Sequence, residues 1–151
     1  MKTTTYIALT AICIAALGAV ALYDAHAAVV ASDYVVVTTD ASGDAEAYSG
    51  KTYNGSVRLV LYEKSDFANG VDFTITSEDS GQTIWTQNDV NASAVKYPLT
   101  QACSTAGVAA TLDGTRAFLV PISLVNERIK VVVGSGDDTK SGPFAFAVEG
   151  I

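Results

Sequence analysis

The sequence predicts an all-β protein, an antiparallel β-sandwich with a jelly-roll-like winding of about eight strands, preceded by an N-terminal hydrophobic helix. Three observations predict it. From Ser32 onward the chain runs in short stretches rich in β-branched and aromatic residues. Gly, Asn and Asp separate those stretches at roughly ten-residue spacing. No stretch after the leader has a convincing helical period. A small β-barrel is the alternative arrangement of the same strands.

The first element is the apolar leader, which opens the chain and supplies most of the run "TAICIAALGAVALYDAHAAVV" from Thr10 to Val30. Lys2 supplies a short positive region, Ile7 to Leu22 an apolar region, and Ala25-His26-Ala27 the small residues that a signal peptidase reads, with cleavage before Ala28. The same run has a second reading as a retained membrane anchor. Residues 6–23 are about long enough to cross a bilayer and carry Tyr6 and Tyr23 at their ends, and Ala11, Ala15 and Ala19 lie at a spacing that lets helices pack closely. Residues 1–27 are therefore a signal peptide or an anchor, and residues 28–151 a single β-domain exported across a membrane. His26, the only histidine, lies within the cleavage signature and outside that domain.

The strands follow in order. "DYVVVTTD" is a strand that ends in the turn "DASGD". "SVRLVLYE" alternates Val57, Leu59 and Leu61, on a core-facing side, with Ser56, Arg58 and Val60. "VDFTITSE" buries Val71, Phe73 and Ile75 and shows Asp72, Thr74 and Thr76. "QTIWTQ" follows the turn "SEDSG". "TRAFLVPISLV", "ERIKVVVGSG" and "GPFAFAVEGI" read as three more strands, with Pro121 marking an edge or bulge because it cannot donate to a ladder, and with "ERIKVVVGS" apolar enough for a sheet centre. Asn54-Gly55 and Asn69-Gly70 are dipeptides that suit tight turns. Leu59, Phe73, Ile75, Phe118, Ile129 and Phe144 are expected to anchor the core.

Composition narrows the function. The formal net charge is -7, from 9 basic side chains and 16 acidic ones, the acidic ones spread through loops, and nucleic acid is excluded as a partner because counterion release needs clustered Lys and Arg. Cys13 lies in the leader and Cys103 in "TQACSTAG", so neither a disulfide framework nor a zinc site is read. Without a histidine in the domain, Ser and Cys hydrolase mechanisms lack a base. The carboxylate pairs Glu78-Asp79 and Asp137-Asp138, and Asp72, supply the inventory of a glycosidase, but the pairs fall in turns where solvated carboxylates are the rule. The acidic turns offer oxygen ligands for calcium without the spacing of a calcium loop, and "GSGDDTKSG" lacks the P-loop spacing. Trp85, Tyr48, Tyr53, Tyr62 and Tyr97 are core or interface residues or, less simply, a platform for a glycan ligand. Asn54 and Asn91 begin glycosylation sequons. No catalytic residue, metal or cofactor is assigned, and the chain reads as a non-enzymatic protein.

From about Val35 to Val148 the chain resembles a family of small proteins encoded among the structural genes of tailed bacteriophages. The phrases "VTTDASGDAEAYSG", "KSDFANGVDFTITSEDSGQTIW", "DVNASAVKYP" and "NERIKVVVGSGDDTKSG" carry the likeness in the same order. The resemblance implies a virion structural protein, a head-associated or tail-associated β-domain with other copies of itself or other virion proteins as partners. Members of that family start close to the first strand, so the leader is a departure. It admits an upstream extension, a virion with an internal lipid membrane, or a prophage-derived domain exported by a bacterium. The alternative function is an exported surface or periplasmic β-sandwich that binds or adheres to a glycan or protein ligand.

The stretch from Asn91 to Gly114 is the least regular and includes Pro98. A loop of this length is functional or a surface excursion. It is read as an interface arm, with Asn91, Tyr97, Pro98, Cys103 and Gly107 as its candidate contact residues.

Overall fold

The β-branched and aromatic runs form ten strands in the computed structural model, which describes residues 30–150. Residues 1–27, with the expected hydrophobic helix, lie outside the described residues. The strands are β1 (Val30–Thr38), β2 (Ala45–Tyr48), β3 (Tyr53–Tyr62), β4 (Val71–Ser77), β5 (Thr83–Val90), β6 (Ala94–Lys96), β7 (Leu99–Gln101), β8 (Leu119–Glu127), β9 (Ile129–Gly134) and β10 (Ser141–Gly150). No helix occurs among the described residues.

All the pairings are antiparallel. One sheet, A, runs β1-β10-β3-β8-β7 with β6 also on β3, and the other, B, runs β2-β9-β4-β5. There are thus two open sheets, the arrangement of a sandwich and not of a closed barrel. "ERIKVVVGS" is central in sheet B as β9, and the short β2 is a strand that the sequence reading did not pick out.

One core joins the sheets. The Phe73 ring of β4 lies 5.0 Å from Tyr62 of β3, 5.2 Å from Phe144 of β10 and 4.7 Å from Trp85 of β5. Offset and edge-on contacts of this kind add to the stabilisation from burial alone. Ile75 and Ile129 are fully buried beside them, as the sequence predicts. Tyr62 is also fully buried, and its hydroxyl has no hydrogen-bond partner among the described residues. An unpaired polar atom in such a place is costly, so Tyr62→Phe should raise the unfolding free energy by about 1 kcal/mol, read from urea denaturation.

Two core expectations are corrected. In β3 the buried residues are Tyr53, Gly55, Val57, Val60 and Tyr62, while Leu59 and Leu61 are half-buried on the opposite face. The cause is a β-bulge. Ala147 pairs with Leu59 and Val148 with Val57, so Arg58 is the extra residue and the inward phase shifts by one,. Phe118 is 45% exposed, because it precedes β8 in the arm and not in the sheet core. A similar bulge in β5 turns the adjacent Ile84 and Trp85 both inward.

The turn expected at Asn54-Gly55 is a third correction, since both residues lie inside β3. Gly55 is needed there for close backbone approach: a Cβ at this position would lie 2.0 Å from the Glu149 carbonyl oxygen of β10. Asn69-Gly70 does form a turn, with φ of 86° at Gly70.

Candidate functional site

The outer faces of the two sheets differ in chemistry. On sheet B, cross-strand neighbours include Tyr48 with Lys130, Lys130 with Thr76, and Thr74 with Thr86. Lys130 pairs with Glu46 at 2.6 Å, and Arg128 grips Glu78 through two nitrogens at 2.6 and 2.5 Å while lying 4.6 Å over the Tyr48 ring. This face is polar and internally paired. The bonds from Arg128 hold the Glu78 carboxyl below its ordinary range, and Lys130 followed by the Tyr48 hydroxyl does the same for Glu46.

Because these two carboxyls ionise more readily folded than unfolded, their stabilising effect is complete above the ordinary glutamate value of 4.5,. It is lost as pH falls through their lower folded values. Both pairs are solvent-accessible, so the effect is modest and weakened by salt. The urea midpoint should stay level from about pH 7 to about pH 5 and decline below that, and Glu78→Gln should make the decline shallower.

Sheet A presents the opposite surface. Its outer face carries a cross-strand row of Tyr34, Ala145, Leu61 and Val95, running from β1 through β10 and β3 to β6. Ala147 and Leu59 form the next pair, and Val36 lies beside Tyr34 on β1. Tyr34 and Val36 are 59% and 55% exposed. Among the described residues the only ion pair on this face is Arg58 with Glu149, at the bulge. In "FAFAV" the residues between the inward Phe144, Phe146 and Val148 are alanines, where a solvated face would have polar residues,.

The bulge also marks a branch. β3 pairs with β8 over Tyr53 to Val57 and with β6 over Val60 to Tyr62, so its partner on that edge changes at Arg58. Tyr97-Pro98 then carries the chain from β6 to β7, which lies on the far side of β8. An apolar groove of ≈ 490 Å³ opens at this branch, lined by Val57, Arg58, Leu59, Tyr97, Pro98, Leu99, Pro121 and Ala147. Pro121 sits where β8 changes partner from β7 to β3, a position where its missing N–H is tolerated,.

Beyond β7 the arm is ordered by three backbone bonds in a ring. Ala102 N–H donates to the Phe118 carbonyl at 2.9 Å, Phe118 N–H to the Ala110 carbonyl at 3.0 Å, and Ala110 N–H to the Ala102 carbonyl at 2.7 Å. Three hairpin stems meet there: β7 with β8, the Cys103–Ala109 hairpin and the Thr111–Ala117 hairpin. Gly107, with φ of 76°, closes the second stem, and Asp113 caps the third by accepting from the Thr115 and Arg116 N–H groups. No residue from Leu99 to Pro121 is buried.

The five candidate contact residues separate accordingly. Tyr97 is 71% exposed at the groove and Pro98 is buried in its wall. Cys103 and Gly107 are exposed on one hairpin of the arm. Asn91 stands apart, since its side chain accepts from Gly70 N–H at 2.9 Å at the β4–β5 end. The sequence reading missed Val95, Leu99, Val108 and Leu112, which are 47–66% exposed along the same stretch, and Leu119 at the start of β8, which is 51% exposed.

The groups considered for catalysis, calcium or sugar binding are engaged elsewhere. Asp72 accepts from Asp89 N–H at 2.8 Å, Asp137 from Asp138 N–H at 2.9 Å, and Glu78 holds Arg128. Asp40 accepts from the Ser42 hydroxyl and from the Ser42 and Asp44 N–H groups, bonds that lower its carboxyl from the ordinary value. Tyr53, Tyr62 and Trp85 are buried. Burial, followed by the nearby Asp33 carboxylate, pushes the Tyr53 phenol above its ordinary value. Comparison of the chain with protein-family models, with curated proteins and with solved structures found no match.

Proposed function

We propose that this chain is a non-enzymatic virion structural protein, a jelly-roll-like domain that works by self-association and by attachment to the particle. The contrast between the paired polar face of sheet B and the apolar outer face of sheet A carries the reading. A solvated sandwich has polar residues on both outer faces, and a wide apolar surface is a contact surface. The eight strands other than β6 and β7 run β1-β10-β3-β8 and β2-β9-β4-β5. That order supports a jelly-roll winding, with β6, β7 and the arm inserted between the fifth and eighth strands. Jelly rolls serve in viral capsids and in lectins. The resemblance to phage structural proteins favours the first of these.

Tyr97, exposed at the rim of the groove, favours a second reading as an exported surface or periplasmic module that binds a glycan or protein ligand,. The double variant Tyr97→Asp/Leu99→Asp tests both readings, because these side chains are 71% and 52% exposed and the fold does not depend on them. Circular dichroism and melting should match the parent. Incorporation into particles, followed by co-sedimentation, should drop at least about tenfold. Normal incorporation, with loss of binding to a glycan array, would replace the virion reading by the second one.

A further inference from the structure

We propose that β1 is a dimerisation strand, which pairs antiparallel with β1 of a second copy about a two-fold axis near Val36 and joins the two A sheets into one. The inference rests on the self-association part of the proposed function and assigns it a surface. Open edges invite pairing with other chains, and proteins blunt them with short strands, bulges, prolines and charges.

In sheet B, β2 has four residues and β5 carries two register shifts and a left-handed Asp89. At the far side of sheet A, β6 and β7 have three residues each, and the free stretch of β8 lies between Pro121 and the left-handed Asn126. β1 differs from all of them. Its nine residues pair with β10 in one unbroken register, and it contains no Pro, no Gly and one charged residue, Asp33.

The ladder shows which backbone groups face outward. Thr39 N–H bonds to the Lys140 carbonyl, so the odd-numbered residues of β1 face β10 and the even-numbered ones face away,. Two outward groups are already covered, the Ser32 carbonyl by the Lys51 ammonium at 3.0 Å and the Tyr34 N–H by the Asp33 carboxylate at 2.8 Å. The Val36 N–H and carbonyl, the Thr38 N–H and the Tyr34 carbonyl have no hydrogen-bond partner among the described residues.

These free groups are spaced evenly about Val36, so the strand is complementary to itself when reversed. Val36 would exchange two bonds with Val36 of the partner subunit, and each Thr38 N–H would reach a Tyr34 carbonyl across the axis. The stretch from Tyr34 to Thr38 is uncharged, which lets a chain of net charge -7 approach a copy of itself here,. Tyr34 and Val36 belong to the apolar outer row, so the pairing would join two such rows into one broader surface.

The test uses the full chain in mild detergent with Cys13→Ser and Cys103→Ser as background. Val36→Cys should give a disulfide-linked dimer on mild oxidation, because two-fold pairing places residue 36 opposite itself within disulfide reach. Ser32→Cys, on the same strand but away from the axis, should not. In sedimentation equilibrium Val36→Pro should weaken the dimer at least about tenfold with unchanged circular dichroism, since this N–H makes no bond among the described residues. Val36→Lys should do the same and serves if the proline variant fails to fold. The proposal is overturned if the two cysteine variants cross-link alike, if Val36→Lys dimerises like the parent, or if the parent is monomeric. Dimers lost with Tyr97→Asp/Leu99→Asp but kept with Val36→Lys would overturn this surface and leave the self-association reading standing. Dimers that form normally in a chain that never enters particles would uphold the surface and reject the virion reading.

Discussion

Phe73→Ala should lower the unfolding free energy by about 3–5 kcal/mol, the largest loss expected from any single truncation in the core. Phe73 is 2% exposed and its ring meets three others, Tyr62 and Phe144 from sheet A and Trp85 from sheet B. Removing it takes away the apolar burial and leaves a cavity whose walls are fixed by two hydrogen-bonded sheets, so collapse into the space is limited. Thr74→Ala, the next residue on the outer face of the same strand, should cost less than about 1 kcal/mol. Urea denaturation of the two variants and the parent measures the difference. Equal losses would mean that the sheets do not share the core described here.

Gly55→Ala should cost about 3 kcal/mol or more, although it adds a single methyl group. The added carbon would lie 2.0 Å from the carbonyl oxygen and 2.8 Å from the carbonyl carbon of Glu149. Both are backbone atoms, so relief requires moving β10 away from β3 where Ser56 pairs with Glu149 and Gly55 with Gly150. Gly81→Ala is the matching control, with φ of 66° and no atom within 4 Å of the new carbon. It carries only the conformational cost, about 1 kcal/mol. A Gly55→Ala midpoint no lower than that of Gly81→Ala would show that β3 and β10 are not so closely apposed.

The strands and much of the core were legible because their signal is local. In "VDFTITSE" each residue carries its own preference for core or water, and the period of two places Val71, Phe73 and Ile75 inward without reference to any other strand,. The irregular arm was legible by the same rule, as a stretch without that period. Its exposed apolar residues were not, because leucine or phenylalanine reads as core until its neighbours are known. Phe118 shows this: it looks like the start of a strand face, yet it belongs to a ring of backbone bonds with Ala102 and Ala110.

What lay beyond the sequence reading depends on residues far apart in the chain. The bulge at Arg58 reverses the facing of Leu59 and Leu61, and it arises where β3 changes partner and where β10, about ninety positions later, runs alongside. Nothing in "SVRLVLYE" records that its partner will slip by one residue. The free edge of β1 and the apolar outer face of sheet A have the same origin. Alternation within a strand states that two faces exist, while the order in which strands assemble sets which face meets the other sheet, which edge stays open and which alanines lie side by side on the surface.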